Sequence, residues 1–297
     1  MALSRRTLLA SGALAGSAPF FGARAQGKPT LKIGCLTDLS GPYKDLAGPG
    51  AIAAVHLALA DFGISDKAFN VEVLSADHQN KPDVGVTAVR QWYDRDGVDL
   101  VVEVANSGVA LAVAGVAKEK NKAYINTGAA TSDLTGAACN ANTIHWVYDT
   151  YMLAQSTGAA MVKAGGDSWY FITADYAFGH ALQRDTSAFV IGSGGKVVGS
   201  IAYPFPGTTD FSSFLIGAQA SGAKVLGLAS AGSDLINQIK QSKEFGIKMR
   251  IAGLLLFLTD VHALGLEMAQ GIVLTDSFYW DMNDRARAFS YRYSPAM

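Results

Sequence analysis

Only two cysteines occur in this chain, Cys35 and Cys139, and they form no CxxC pair, so no dithiol redox motif is present. HExxH, a Walker loop and a Gly-x-Ser-x-Gly elbow are also absent, which removes the sequence basis for zincin, P-loop and α/β-hydrolase chemistry. The glycine clusters Gly48-Pro49-Gly50 and Gly192–Gly195 do not follow strands in the pattern of a dinucleotide fingerprint and read as turns. No basic run interleaved with aromatics appears, and 24 basic against 25 acidic residues leave a net charge of −1, which excludes a nucleic-acid footprint. Beyond the N-terminal segment, no apolar stretch is long enough to cross a bilayer. What is there is 49% hydrophobic and 16% charged over 297 residues, the composition of a globular chain with a large core and room for two domains.

The N-terminus reads as a targeting segment. Ser4-Arg5-Arg6-Thr7-Leu8-Leu9 has a twin-arginine pattern, a Gly/Ala/Ser-rich stretch follows to Gly22, and Ala23-Arg24-Ala25 fits a small-residue cleavage site. A Sec signal that happens to carry two arginines is the alternative, and either route exports the protein. Removal of residues 1–25 takes away three arginines and leaves 21 basic against 25 acidic residues. The expected location is the periplasm. In that oxidising compartment, Cys35 reads as a small buried side chain within a strand and Cys139 as a residue of a polar loop.

Residues 102–135 organise the rest. A β-branched strand at Val101–Val104, a helix over Gly108–Glu119 and a second strand at Ala123–Asn126 make one βαβ unit of a parallel sheet. Lys118, Lys120 and Lys122 gather where cations complement the helix dipole. Asn106 and Ser107 lie at the helix start as cap residues, and Gly128–Thr131 fills the turn after the next strand. Both polar turns stand beyond the carboxyl ends of adjacent strands, where open α/β sheets bind ligands. Backbone N–H groups, a helix N-terminus and two hydroxyls there make an anion cradle, which we expect to hold a carboxylate.

The pattern runs β-α-β-α-β-α-β over residues 31–126. Leu31–Leu39 is the first strand, Gly50–Phe62 a helix, Asn70–Ala76 a strand and Asp83–Asp94 a helix. Tyr43 follows the first strand and either reaches a cleft or is a surface aromatic. Asp77, His78 and Asn80 read as turn residues, since no nucleophile or metal-ligand spacing accompanies the histidine. A second alternation begins with a helix over Tyr151–Lys163, then strand Ser168–Thr173, a turn carrying Tyr176 and Phe178, and helix His180–Ile191. Strand Lys196–Tyr203, helix Asp210–Ser221 opened by an Asp cap, strand Lys224–Ala229 and helix Asp234–Phe245 follow. Arg250–Leu258 and Gly271–Ser277 read as strands. Trp146 and Trp169 are expected in the core. The fold class is α/β, two doubly wound lobes joined by a hinge with a cleft between them, and domain interfaces favour small-molecule sites. The expected division is a signal segment at 1–25, lobe one at 26–147, lobe two at 148–275, and a return toward lobe one at 276–297.

In the order and spacing of TDLSGPY (37–43), NSGVALAV (106–113), INTGAATSDLT (125–135), TADYAFG (173–179) and DFSSFL (210–215), the chain resembles type I periplasmic solute-binding proteins of ABC transporters, of the branched-chain amino-acid/amide kind. The likeness covers Leu31 to about Asp281. It implies a protein that closes two lobes over an amino acid or similar solute and delivers it to a membrane permease with its ATPases. It also implies that Ser107, Ala129, Ala130 and Thr131 hold a carboxylate, beside Asn106. Tyr176, with Phe178 and Tyr43 near it, would stack on or hydrogen-bond the ligand, and Asp149 would meet an α-amino group. Capping is the alternative for Ser107, Thr131 and Asp149, although caps explain one of Ser107 and Thr131 well and not both at adjacent strand ends; inter-lobe packing is the alternative for Tyr176.

Two departures stand out. Branched-chain binders of the family place a glutamate near the segment that here reads GLLLFL (253–258), which holds no acid. An unpaired ammonium in a closed cleft is costly, so the wording leans toward an aromatic or branched carboxylate lacking an amine, with Asp149 as the partner if an amine is present. The family also continues past Trp280-Asp281 with further elements, which are expected to be missing here. No cofactor or metal is expected. A ligand-sensing protein of the same fold, uncoupled from transport, is the alternative to a transport receptor. An enzyme using His78 or Asp149 lacks an assembled catalytic set.

Overall fold

A computed structural model describes residues 27–296; the expected signal segment lies outside the described residues. Two five-stranded sheets carry the chain, and every strand pair in both is parallel. The first holds β1 (Thr30–Thr37), β2 (Asn70–Asp77), β3 (Leu100–Glu103), β4 (Ala123–Asn126) and β5 (Thr143–His145) in the order β2-β1-β3-β4-β5. The second holds β6 (Ser168–Ala174), β7 (Lys196–Tyr203), β8 (Val225–Ala229), β9 (Arg250–Gly253) and β10 (Val273–Leu274) in the order β10-β9-β8-β6-β7. Read from its own first strand, each sheet has the same order, with its switch point beside that strand: between β1 and β3, and between β6 and β8. Ligands of open α/β sheets sit outside the carboxyl ends at such points.

Helices α1 (Gly48–Asp61), α2 (Pro82–Gln91) and α3 (Ser107–Lys120) belong to the first lobe. Asn106 caps α3 through a side-chain oxygen that accepts from the Val109 N–H at 3.0 Å, and Asn121 ends it in the left-handed conformation at φ 50°. The buried face of α3, with Val109, Val113 and Ala117, packs with Leu36, Val101 and Tyr124 into the first core. Helices α4 (Thr150–Lys163), α5 (Ala177–Gly192), α6 (Ser212–Ala220), α7 (Gly232–Glu244), α8 (Leu258–Leu264) and α9 (Leu266–Ala269) flank the second sheet. Trp169, Phe171, Ile172, Leu226 and Leu228 form the centre of its core. The chain then crosses back, and α10 (Asp284–Tyr293) lies against α1, with Arg292 bonded to Asp61.

Several expected elements differ. The helix expected to Asp94 ends at Gln91 and passes into a π turn over Trp92–Asp96, whose Trp92 and Tyr93 are buried. The strand expected over Arg250–Leu258 stops at Gly253; Leu254, Leu255 and Leu256 are buried in a turn, and Asp260 accepts from the Phe257 N–H at 2.9 Å as α8 begins. A short apolar run has no periodicity to separate these outcomes. The strand expected over Gly271–Ser277 pairs at only two residues. Asp210 accepts from the Ser212 N–H at 2.9 Å but lies outside the helix, which starts at Ser212. Trp169 is fully buried, whereas Trp146 is 76% exposed because it follows the edge strand β5. Cys35 is buried, Cys139 exposed, and both are free thiols.

Candidate functional site

The carboxyl ends of the two sheets face each other across a cavity of about 1140 Å³, closed on one side by α1 and the C-terminal segment. Tyr43, after β1, and Tyr176, after β6, meet across it with their hydroxyls 2.5 Å apart. The Tyr176 ring stacks on Phe205 at 4.3 Å between centroids, and Tyr43 stacks on the same ring at 5.6 Å. Burial pushes both phenols far above their ordinary range, so each remains a neutral hydrogen-bonding group.

Tyr43 is placed by a chain of polar contacts. The Asp38 carboxylate accepts from the Gly41 N–H at 2.7 Å and the Tyr43 N–H at 2.8 Å. Asn80 donates to that carboxylate at 2.7 Å, and Asn106 donates to Asn80 at 3.2 Å. One network thus joins the cap of α3 to the turn carrying Tyr43. His78 belongs to this turn structure: its Nδ1 accepts from the Asn80 N–H at 3.0 Å, and burial pulls the ring down to about 4, so it stays neutral. From the second lobe, Gly232 approaches at φ 62°; a Cβ there would lie 2.4 Å from the Pro42 carbonyl oxygen. Only a residue without a side chain allows that approach.

The turn after β4 is bonded internally. The Ala129 N–H donates to Asn126 at 3.0 Å, and the Thr131 N–H donates to Ser107 Oγ at 3.2 Å. Thr131 Oγ1 accepts from the Asp133 N–H at 3.3 Å. Of the residues singled out in the sequence, the structure brings Tyr43, Ala130, Tyr176 and Phe178 to the cavity wall. Asn106, Ser107, Ala129 and Thr131 are buried and do not line it. Tyr176 also comes over the start of α3: its ring carbon would lie 4.0 Å from a Cβ built on Gly108. Asp149 does not line the cavity; its carboxylate accepts from the Met152 N–H at 2.7 Å and caps α4.

The residue that sequence reasoning missed is Glu103, the last residue of β3. It lines the cavity while only 5% exposed. Oε2 accepts from the Thr127 hydroxyl at 2.8 Å, and Oε1, also buried, has no partner among the described residues. Burial pushes the carboxyl up to about 7, against the lowering effect of Thr127. Its backbone is left-handed at φ 78°, and Val104 follows at φ 71°, a costly conformation for a β-branched residue. Asn126 holds that strain by donating to the carbonyls of Glu103 at 2.8 Å and Val104 at 2.9 Å. The available signal was one acid closing an otherwise apolar strand, Leu100-Val101-Val102-Glu103, at the carboxyl edge of a sheet.

Two doubly wound lobes of equal topology, meeting at a cleft between their carboxyl edges, define a two-lobed binding protein. The chain belongs to the periplasmic binding protein family, whose model matches residues 30–297. A periplasmic binding protein of Burkholderia mallei is 50% identical and superposes with a TM-score of 0.87, covering 91% of this chain and 72% of that one. A branched-chain amino acid ABC transporter periplasmic ligand-binding protein of Burkholderia xenovorans LB400 is 39% identical with a TM-score of 0.75, covering 90% and 72%. The Leu/Ile/Val-binding protein homolog 4 of Brucella abortus (strain 2308) is 24% identical over 264 residues, which is 84% of this chain and 62% of that protein. The chain therefore spans less than two thirds of that relative's length.

Proposed function

We propose that this protein is the periplasmic substrate-binding subunit of an ABC importer. It captures a small carboxylate, either a branched-chain or other amino acid or an aromatic or branched carboxylic acid, in the inter-lobe cleft and hands it to the membrane permease. The observation that carries the reading is the cavity between the two carboxyl edges, bridged by the Tyr43–Tyr176 contact at 2.5 Å. A binder that closes on its ligand needs such a cleft, with groups from each lobe that meet on closure. Its relatives are binding proteins rather than enzymes.

In this reading residues 26–147 and 148–275 are the two lobes, residues 276–297 return to the first, and residues 1–25 export the chain by the twin-arginine route. Tyr43, Ala130, Tyr176 and Phe178 touch the ligand. Ser107 and Thr131 act from behind the Ala129–Ala130 turn, each with a hydroxyl hydrogen left to donate toward a carboxylate when the lobes part to admit it. Asn106 holds the start of α3, and Asp149 holds the start of α4.

A thermal-shift screen against the amino acids and their amine-free analogues tests the function. A ligand at a hundred times its Kd adds about 2.7 kcal/mol to stability, enough to move the melting temperature clearly. No shift with any member of either set would remove the transport reading. With a ligand found, Ser107→Ala combined with Thr131→Ala should weaken binding by up to about 3 kcal/mol through lost charge-assisted bonds; unchanged affinity would remove the carboxylate assignment.

A further inference from the structure

We propose that Glu103 selects the ligand: its free carboxylate oxygen receives an ammonium group, so the cleft takes amino acids in preference to the same acids without the amine. The inference rests on the cleft-binding reading above and adds to it a residue and a ligand charge. It also reverses the lean toward an amine-free acid, which followed from the missing glutamate at 253–258.

The geometry is that of a prepared acceptor. Glu103 is buried in the cavity wall and Thr127 holds Oε2, while Oε1, itself buried, has no partner among the described residues, so that a donor meets it only where the wall gives slightly. Two successive left-handed residues, Glu103 and Val104, aim the side chain, and Asn126 bonds both of their carbonyls. Gly128 makes the room, since a Cβ there would stand 2.4 Å from Oε1. A buried polar atom without a partner is costly, and a ligand donor reaching it recovers that cost. Glu103 closes β3, while Ala130 follows the neighbouring β4. Glu103 stands opposite Asn126, the last residue of β4, and both Glu103 and Ala130 line the cavity that a small zwitterion would occupy.

Charge points the same way. The acids lining the cavity are Asp45, Glu103 and Asp276. Asp45 is paired with Lys44, and the lining Arg287 is held by Asp281 and Asp284. Among the described residues no lysine lines the cavity, and His262 is its one histidine. Glu103 and Asp276 thus leave the wall acidic, and a carboxylate without a cation would add a like charge in a low-dielectric space.

Protons enter the same balance. The groups that feel the Glu103 charge are Cys35, Tyr124, Tyr148 and Tyr293, all neutral near pH 7, with Asp276 acting on Tyr148 as well. Burial holds Glu103 near 7, and ammonium binding needs its ionised form. Amino-acid affinity therefore falls as the pH drops below about 7, by up to tenfold per pH unit.

The test is titration calorimetry of the purified protein with leucine against 4-methylpentanoate, and phenylalanine against 3-phenylpropanoate, at pH 8 and pH 6. We expect an amino acid to bind at least tenfold tighter than its analogue at pH 8, with the gap narrowing at pH 6. Glu103→Gln should lose about tenfold to a hundredfold of the amino-acid affinity, leave the analogue unchanged or tighter, and remove the pH dependence. Should the Gln variant fail to fold, the wild-type pH profile carries the test: an amino-acid preference that does not weaken as pH falls through 7 would overturn the assignment to Glu103. Equal or tighter binding of the amine-free acid, growing as pH falls, would overturn it and make protonated Glu103 a donor to a carboxylate. Persistence of the amino-acid preference in Glu103→Gln would overturn it too. Binding of none of the four probes would instead strike the cleft-binding reading and this inference with it.

Discussion

Glu103 couples its proton to folding as well as to the cleft. Burial raises its carboxyl from an ordinary 4.5 to about 7 in the folded chain, so between those values the folded state keeps a proton that the unfolded state releases. Its contribution to stability is full below pH 4.5 and is lost as pH rises through 7, on the order of 3 kcal/mol in all. Asp234 and Asp260, each raised by burial to about 6, slope the same way over a lower window. The wild type minus Glu103→Gln difference therefore isolates the residue. Urea melts between pH 4.5 and 7.5 should show stability falling more steeply with pH in the wild type, and parallel curves would deny the raised carboxyl. Gly128 supplies a second prediction. An alanine Cβ would meet Glu103 Oε1 at 2.4 Å and the Ala105 Cα at 2.9 Å, and the second of these is backbone that cannot swing aside. Gly128→Ala should cost about 1–3 kcal/mol by overpacking, read as a lowered melting temperature. A variant as stable as the wild type would mean that the turn has slack.

At the scale of the element, legibility follows locality. The start of α3 was readable because its signal is three residues long: Asn106 bonds the Val109 N–H. Asp149 likewise bonds the Met152 N–H. Asp149→Ala should lower stability by about 1 kcal/mol while leaving ligand affinity unchanged in an isothermal titration. A loss of affinity for amino acids alone would return the amine contact to Asp149 and take it from Glu103. Asn106→Ala should cost more, since Asn106 also begins the chain through Asn80 and Asp38 that fixes Tyr43. Where the signal was not local, the reading erred. Leu254–Leu256 is as apolar as a strand but buries itself as a turn, and Trp146 is apolar yet follows the edge strand β5 into solvent. Glu103 was hidden for a related reason. Its strand is correct as a strand, but the left-handed twist at its end depends on Asn126, 23 residues away.

The arrangement of the whole molecule was legible as two similar blocks, because strand and helix alternate twice and parallel sheets demand crossovers. How the blocks touch was not, because those contacts join residues far apart in sequence. Across from the Tyr43–Tyr176 pair, Asp185 of α5 accepts from Ser132 at 2.8 Å and from Thr150 at 2.5 Å. Ser132 follows the ligand turn of the first lobe, and the Thr150 N–H bonds the Ala130 carbonyl at 2.7 Å. Asp185 therefore clasps the second lobe to the turn that we place against the ligand. Its side chain is only 11% exposed, so its bonds are sheltered from water. The neighbouring Arg184–Asp133 pair, at 3.1 Å with the Arg184 side chain 53% exposed, is of the solvated kind worth about 1 kcal/mol or less. Asp185→Ala should free the lobes without unfolding either, since it takes no part in the cores. Small-angle scattering of the ligand-free variant should give a larger radius of gyration than the wild type, and saturating ligand should draw it back. Affinity should fall by about 1–3 kcal/mol, the loss of charged hydrogen bonds, because binding must now close the cleft without the clasp. An unchanged radius with reduced affinity would place the effect in the ligand turn alone, and an unchanged affinity would show that the clasp does not hold the closed form.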